Sequence, residues 1–366
     1  MFKHFCVGLL VFLFASAGLQ AQRFTISGYI KDAQSGEVLI GSTAYISKQR
    51  AGAAANTYGF YSVTLPQDSH LIVFSFIGYK PQVKKIYLDR DIRLNINLQP
   101  ESVEMQEVEI KASRAKENVD RPQMGVIDVP IQQIKELPAI MGEKDLFRVL
   151  QLLPGVQSGS EASAGFYVRG GGIDQNLILL DEAVVYNPFH LGGYMSTFNA
   201  DAIKSVSLVK GGFPAQHGGR LSSIVDITMK DGNEKEIHGE GGIGAISSRL
   251  TLEGPIIPNK ASFMVSGRRT YLDALIRPFM PSDIDAAYYF YDLNGKVNYR
   301  FSDKDRVFLS GYRGADVFFT EEDKTRVQVD WGNKTLTGRW NHLFSDKLFS
   351  NTTVIYNDYI FQTYYK

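Results

Sequence analysis

The sequence predicts a mainly β chain in three parts: a small N-terminal β-sandwich of transthyretin or immunoglobulin type, a compact α+β unit, and about seven antiparallel strands. Three observations carry this reading. Glycine (34), tyrosine (19) and phenylalanine (23) are abundant and Leu-rich helical patterns are scarce, which favours strands and turns. Turn signals recur at short intervals between Arg23 and Gln99. From about Ile237 onward, apolar and charged residues alternate with period two.

The first 21 residues stand apart. Lys3 and His4 precede an apolar run, Phe5–Phe14, and small residues follow at Ala15, Ser16, Ala17, Gly18 and Ala21. This is the pattern of a signal peptide, with cleavage expected near Ala21. The run is too short for a spanning helix, and no later stretch is long and apolar enough for one. The one cysteine, Cys6, lies inside this segment, so the mature chain is expected to hold no disulfide and no thiolate metal site. No cysteine stands at the cleavage point, as a lipoprotein would require. An exported chain without such a helix is secreted, periplasmic or an outer-membrane barrel. Lys+Arg and Asp+Glu are equal at 39 each, so charge gives no reason to expect nucleic acid.

Residues 22–99 read as the sandwich. Strands are expected at Phe24–Ile30, Val38–Ile46, Phe60–Leu65, Leu71–Ile77, Val83–Leu88 and Ile92–Leu98. Asp32–Gly36, Asn56–Gly59 and Gly78–Pro81 supply turns. Residues 100–124 are charged, poor in aromatics and read as a linker. Within them Val108 and Ile110 alternate with Glu107, Glu109 and Lys111, so Met105–Ala112 can become a strand once it meets an edge.

Residues 125–233 read as the α+β unit. Helices are expected at Pro130–Pro138 and Gly142–Pro154; in the second, Leu146, Val149, Leu150 and Leu153 share a face and Pro154 stops it. Short strands follow at Phe166–Arg169, Leu177–Leu180, Ile203–Val209 and Ile224–Met229.

Residues 234–366 read as strands at about 237–245, 247–255, 261–269, 288–301, 306–317, 331–344 and 348–363. Leu250 and Leu252 alternate with Arg249, Thr251 and Glu253. Val297, Tyr299 and Phe301 alternate with Lys296, Asn298 and Arg300. Leu336, Gly338 and Trp340 alternate with Thr335, Thr337, Arg339 and Asn341. That is a barrel wall with lipid outside and water inside, although a sandwich edge gives the same pattern strand by strand. Short turns at Ile257–Lys260, Ser302–Asp305 and Ser345–Lys347 alternate with long connections at Thr270–Ala287 and about Phe319–Asp330. Such parity belongs to an outer-membrane barrel.

In this order the parts resemble a TonB-dependent receptor with an N-terminal carboxypeptidase-regulatory-like domain. In the first part the resemblance rests on Ile26-Ser-Gly-Tyr-Ile-Lys-Asp-Ala-Gln-Ser-Gly-Glu-Val-Leu-Ile-Gly41, Asn56-Thr-Tyr-Gly-Phe-Tyr61 and Phe76-Ile-Gly-Tyr79. In the second it rests on Leu150-Gln-Leu-Leu-Pro-Gly-Val156, Phe166-Tyr-Val-Arg-Gly-Gly-Gly172, Gln175-Asn-Leu-Ile-Leu-Leu-Asp181 and Val209-Lys-Gly-Gly-Phe-Pro-Ala215 running to Gly218-Gly-Arg220. The resemblance implies a plug domain whose motif residues are Arg169, Gly170, Gly171, Asp181, Lys210, Gly211, Gly212, Gly218, Gly219 and Arg220. It implies that Arg169 and Arg220 pair with carboxylates of the wall. It also implies that Glu107, Val108, Glu109, Ile110, Lys111 and Ala112 form the TonB box.

The implied function is active import of a scarce solute, such as an iron–siderophore or cobalamin, across the outer membrane. The implied partners are TonB with ExbB/ExbD, the solute itself and outer-membrane lipid. A glycan importer working with a surface lipoprotein is an alternative. Such relatives share the N-terminal domain, but their plug ends closer to Tyr-Gly-Ser-Arg-Ala-Ala-Asn-Gly, whereas His217-Gly-Gly-Arg-Leu-Ser-Ser223 stands here. A secreted β-rich adhesin is a third reading, from another class. A barrel of about 22 strands, at roughly 9–11 residues each, needs more than the about 130 residues that follow Asn233. The expectation is therefore a fragment of a longer protein, cut within the barrel.

No enzyme constellation is found. Arg169 and the glycines after it lack the Gly-Lys-Ser/Thr of a phosphate loop, and no Gly-x-Ser-x-Gly is present. His190, His217 and His238 have no ligand spacing and read as surface or loop histidines. No cofactor is expected.

Overall fold

The computed structural model describes residues 22–46, 51–101, 125–131, 134, 142–159, 163–280, 284–322 and 325–366. The expected signal peptide, Met105–Ala112 and most of the expected helix at 130–138 lie outside the described residues. The chain divides into two compact units.

The first comprises, among the described residues, 22–34, 38–101 and 343–349. Its strands are β1 (Arg23–Asp32), β2 (Thr43–Ile46), β3 (Ala51–Ala54), β4 (Phe60–Pro66), β5 (Asp68–Ser75), β6 (Gln82–Leu88), β7 (Ile92–Arg93) and β8 (Ile96–Leu98). β1 pairs antiparallel with β4 and parallel with β7 and β8. The second sheet runs β3-β2-β5-β6. Period-two alternation sends Ile26, Ile30, Ala44, Ile46, Ile72, Phe74, Ile96 and Leu98 into one core.

Two expectations change here. Leu71–Ile77 looked continuously apolar, but Leu71 and Ile77 are exposed, and the strand is the alternating Asp68–Ser75. Val38 belongs to a turn that bridges to Lys31, so only Thr43–Ile46 of the expected Val38–Ile46 is strand. The turn at Asn56–Gly59 forms as expected. The Asn56 carboxamide oxygen accepts from the Tyr58 and Phe60 amides at 2.9 and 3.1 Å. Gly59 sits at φ 73°, where a Cβ would lie 2.4 Å from Cβ of Val38.

The second unit joins the α+β part to a β-wall. The α+β part contains β9 (Val126–Pro130), α1 (Leu146–Gln151), β10 (Val156–Ser158), β11 (Phe166–Val168), β12 (Asn176–Leu180), β13 (Ala183–Val184), β14 (Phe189–His190), β15 (Met195–Ser196), β16 (Ile203–Val209) and β17 (Ser223–Met229). Its main sheet runs β13-β12-β17-β16-β9, with β12 and β17 parallel. Asp145 caps α1 by accepting from the Phe147 amide at 2.8 Å. Leu146, Phe147, Val149 and Leu150 of α1 are buried against Phe166, Phe198, Val206 and Ile227.

The wall is a meander, β18 (His238–Ile243), β19 (Ser247–Ile257), β20 (Ala261–Thr270), β21 (Ile284–Arg300), β22 (Asp305–Glu322), β23 (Thr325–Ser345) and β24 (Leu348–Tyr365), each strand antiparallel to the next. A short helix, α2 (Leu272–Ile276), lies in the long connection after β20. The expected connection at Phe319–Asp330 is a correction: β22 and β23 stay paired out to Glu322 and Thr325. Strands of 17 to 21 residues exceed the roughly 9–11 that a bilayer needs. No helix among the described residues is long and apolar enough to cross a membrane, which says nothing about the strands.

Gly59→Ala combines a left-handed backbone with the clash against Val38. It is expected to destabilise the first unit by about 2–4 kcal/mol. Hydrogen exchange of β1 and β4 in the variant measures this loss.

Candidate functional site

Strand geometry sends alternate residues of the wall to opposite faces. One face presents Leu250, Val265, Leu293, Val297, Leu309, Leu336 and Trp340, all exposed. The other presents Arg268, Asp292, Lys296, Asn298, Ser310, Asp316, Thr335, Thr337 and Arg339, all buried. The α+β part covers this second face. A charge taken out of water must be paired, and here the pairs form two tiers.

The first tier centres on Asp292. Arg268 stands directly opposite it across the β20–β21 ladder and donates to it from Nε at 2.9 Å and from Nη2 at 2.6 Å. The Tyr312 hydroxyl donates to its other oxygen at 2.8 Å. Gly314 makes room for that contact, because a Cβ there would lie 2.0 Å from the Tyr312 hydroxyl. His190, from the β14–β15 hairpin, closes the tier. Its Nε2 lies 3.0 Å from both oxygens of Asp292, and its Nδ1 lies 2.6 Å from Asp316. Its ring stacks on Phe290 with centroids 3.9 Å apart. Tyr288 donates to Asp316 and accepts from the Leu191 amide. Arg268 extends the tier sideways, donating to the Ser196 carbonyl at 2.8 Å and approaching Glu143 at 3.6 Å. Arg249 pairs with Asp201 at 2.7 Å.

The second tier lies four residues along β21, about 13 Å at strand rise. Lys296 is buried between Asp181 at 3.1 Å and Asp231 at 2.9 Å, and it donates to the Met229 carbonyl. Lys204 meets Asp231 at 2.7 Å, and Arg306 meets Glu234 at 2.8 Å. Arg339 meets Glu182 at 3.2 Å.

The polarity reverses the expectation. In the ion pairs of these two tiers the wall supplies Arg249, Arg268, Lys296 and Arg339, and the facing part supplies Glu143, Asp181, Glu182, Asp201 and Asp231; His190, on Asp292 and Asp316, runs the other way. Arg169 and Arg220 are both exposed, and neither forms an ion pair with a described wall carboxylate. Arg220 donates to the Gly219 carbonyl instead.

Of the expected motif residues, only Asp181 reaches this seam. Arg169, Gly170, Gly171, Lys210, Gly211 and Gly212 converge elsewhere, at turns where Arg169, Gly170, Gly211 and Gly212 all have positive φ. A Cβ on Gly211 would lie 2.9 Å from the Arg169 guanidinium, and Lys210 donates to the Pro154 carbonyl. Burial, then the Arg169 charge, lower the Lys210 pKa. Gly218 and Gly219 are exposed in the following loop. His190 is the residue that sequence reasoning missed. It is 1% exposed, not a loop histidine, because two wall carboxylates on neighbouring strands receive it. Apolar alternation in the wall located the face, but nothing local to His190 marked its partners.

Burial pushes the His190 pKa down, but the Asp292 charge, the hydrogen bonds to Asp292 and Asp316 and the Asp316 charge outweigh it, and the net shift is upward. Burial opposes ionisation of Asp231, yet Lys204, Lys296 and Arg306 hold it well below its usual range. Half-buried Asp226 is pushed up to about 6 by burial and by Asp181 and Glu182.

Residues 126–223 match the family model described as the TonB-dependent Receptor Plug Domain, and residues 26–110 match the CarboxypepD_reg-like domain. Among solved structures, the siderophore receptor PirA from Acinetobacter baumannii is similar at 18% identity and TM-score 0.39, covering 64% of this chain and 47% of its own. PiuA from Acinetobacter baumannii is similar at 17% identity and TM-score 0.43, covering 64% and 37%. The outer membrane transporter YddB from Escherichia coli is similar at 12% identity and TM-score 0.39, covering 65% and 45%. The chain spans less than half the length of each of these three.

Two outcomes follow from the seam. Lys296→Met leaves buried Asp181 without a cation and Asp231 with Lys204 alone, and is expected to cost about 3–5 kcal/mol, read from the denaturant midpoint of the second unit. The stabilisation by Asp231 is present above its unfolded pKa of about 3.9 and fades as pH falls through its lowered folded value. That of His190 is full below about 6.5 and fades as pH rises through its raised folded value. Asp226 favours the acid side of this window, because its contribution is lost as pH rises from about 3.9 towards 6. Thermal unfolding from pH 3 to 10 is expected to show greatest stability between about pH 4 and 6.5. The chain carries, in order, a carboxypeptidase-regulatory-like domain and the plug domain of a TonB-dependent receptor.

Proposed function

We propose that the complete protein imports a scarce solute, of the iron–siderophore or cobalamin kind, across the outer membrane by work drawn through TonB. The observation that carries this reading is a plug domain lying against the polar face of an antiparallel meander. A plugged pore passes nothing by diffusion, and the outer membrane has no nucleotide supply. Opening it therefore takes work from elsewhere, here the inner-membrane proton gradient acting through TonB with ExbB/ExbD. Glu107–Ala112 serves as the box, on the periplasmic side with the N-terminal domain. It adds as a strand to the edge of TonB's sheet, so backbone bonds supply the grip and loose side-chain identity is tolerated. Solute binding outside biases exposure of the box inside, for which a coupling of about 1–3 kcal/mol is enough.

A glycan importer with a surface lipoprotein is the second reading, favoured by the N-terminal domain at 26–110. The stretch His217–Ser223 departs from the ending of glycan-importer plugs and weighs against it.

Deleting residues 105–112 from the complete protein is expected to abolish energised uptake and to leave surface binding of the solute intact. Uptake that survives the deletion overturns the box assignment. Growth of a deletion strain on iron chelates, cobalamin or oligosaccharides separates the two solute classes.

A further inference from the structure

His190 occupies a position that only one protonation state satisfies. Each ring nitrogen faces a carboxylate: Asp316 at 2.6 Å on Nδ1 and Asp292 at 3.0 Å on Nε2. A neutral imidazole has one donor and one acceptor, so one carboxylate would then confront a lone pair at hydrogen-bond distance. The imidazolium donates to both. The groups around it leave no substitute donor. Phe290 closes one ring face, Tyr288 already gives its proton to Asp316, and Tyr312 and Arg268 already give theirs to Asp292. Glu143 reaches the cluster only through Arg268.

The element carrying His190 is slight. β14 and β15 have two residues each and meet only at Phe189↔Ser196 and His190↔Met195. The turn between them runs through positive φ at Leu191, Gly192 and Gly193. Its ties to the wall are His190, the Leu191 amide on Tyr288 and the Ser196 carbonyl on Arg268; its ties to the α+β part are Phe189 against Phe147, the Ala164 amide on the Gly193 carbonyl and the Ser196 amide on Asp145. The Lys296 tier involves none of these residues.

We propose that the His190 imidazolium is a latch holding the Phe189–Ser196 hairpin to the wall, and that loss of its proton releases the hairpin while the Lys296 tier stays closed. This stands on the seam alone and is independent of the transport reading. One buried carboxylate then confronts a ring lone pair, and what still holds the hairpin is its packing on the α+β part through Phe189 and Phe147, which leaves its contact with the wall free to open.

The test is hydrogen exchange of the full chain from pH 6 to 10, corrected for the intrinsic rate, comparing peptides over 186–198 and 224–231. Exchange over 186–198 is expected to rise by about a hundredfold or more in one step as pH increases. Residues 224–231 are expected to stay protected across it. His190→Gln is expected to exchange fast over 186–198 at every pH, with no step. Where that variant fails to fold, Asp316→Asn serves, and the step is expected to move down by about one pH unit or more, since one anion that favours the charged ring is gone. Absence of a step, a step that persists in His190→Gln, or a step unmoved in Asp316→Asn overturns the proposal.

Discussion

Asp292 is fully buried and accepts from an arginine, a histidine and a tyrosine. An isolated carboxylate there would be prohibitively expensive, so its partners fix much around it. Arg268 sets the relation of β20 to β21, and Tyr312 requires a glycine at 314. His190 brings in the hairpin, and Arg268 reaches on to Ser196, whose amide binds the Asp145 side chain that caps α1. Five elements thus converge on one carboxylate.

This choice of glue leaves the α+β part and the wall separable. Nearly all the buried apolar residues of the plug pack against one another; the wall gives only Met264 and Tyr312 to that cluster. The plug therefore keeps its own core whether or not it touches the wall. Contact with the wall is carried by ions and hydrogen bonds, which hold strongly while dry. A buried pair adds little net stability over an apolar contact of the same shape, yet losing one partner costs several kcal/mol. Such a seam is tight against piecemeal loss and separable once water can solvate both sides.

The wall was legible because its open face and its covered face demand opposite residues. Leu250, Val297 and Trp340 face out and Lys296, Asn298 and Arg339 face in, as their alternation indicated. The signal failed at Phe319–Asp330, where Thr320, Glu321, Glu322, Arg326, Gln328 and Asp330 read as loop but continue the ladder. A strand with polar surroundings on both faces has no reason to alternate. Helix α1 was legible from its apolar stripe, but it spans only Leu146–Gln151 of the expected Gly142–Pro154 and ends before Leu153. The seam's pairings were not, because they join residues 20 to 157 positions apart and depend on register between strands. Asp181 was marked by its motif, but the Lys296 that meets it was marked only as an inward residue.

On the proposed reading the plug parts from the wall during transport. Asn199 and Ser266 face each other across the seam, with 2.8 Å between the Asn199 amide nitrogen and the Ser266 hydroxyl. Cys6 is the one cysteine in these 366 residues, and Asn199→Cys with Ser266→Cys, in the complete protein with any further thiol replaced, sets a single reducible tether across the seam. Energised uptake is predicted to stop in the oxidised form and to return on reduction, with surface binding unchanged throughout. Undiminished uptake through the oxidised, fully cross-linked protein would contradict the account.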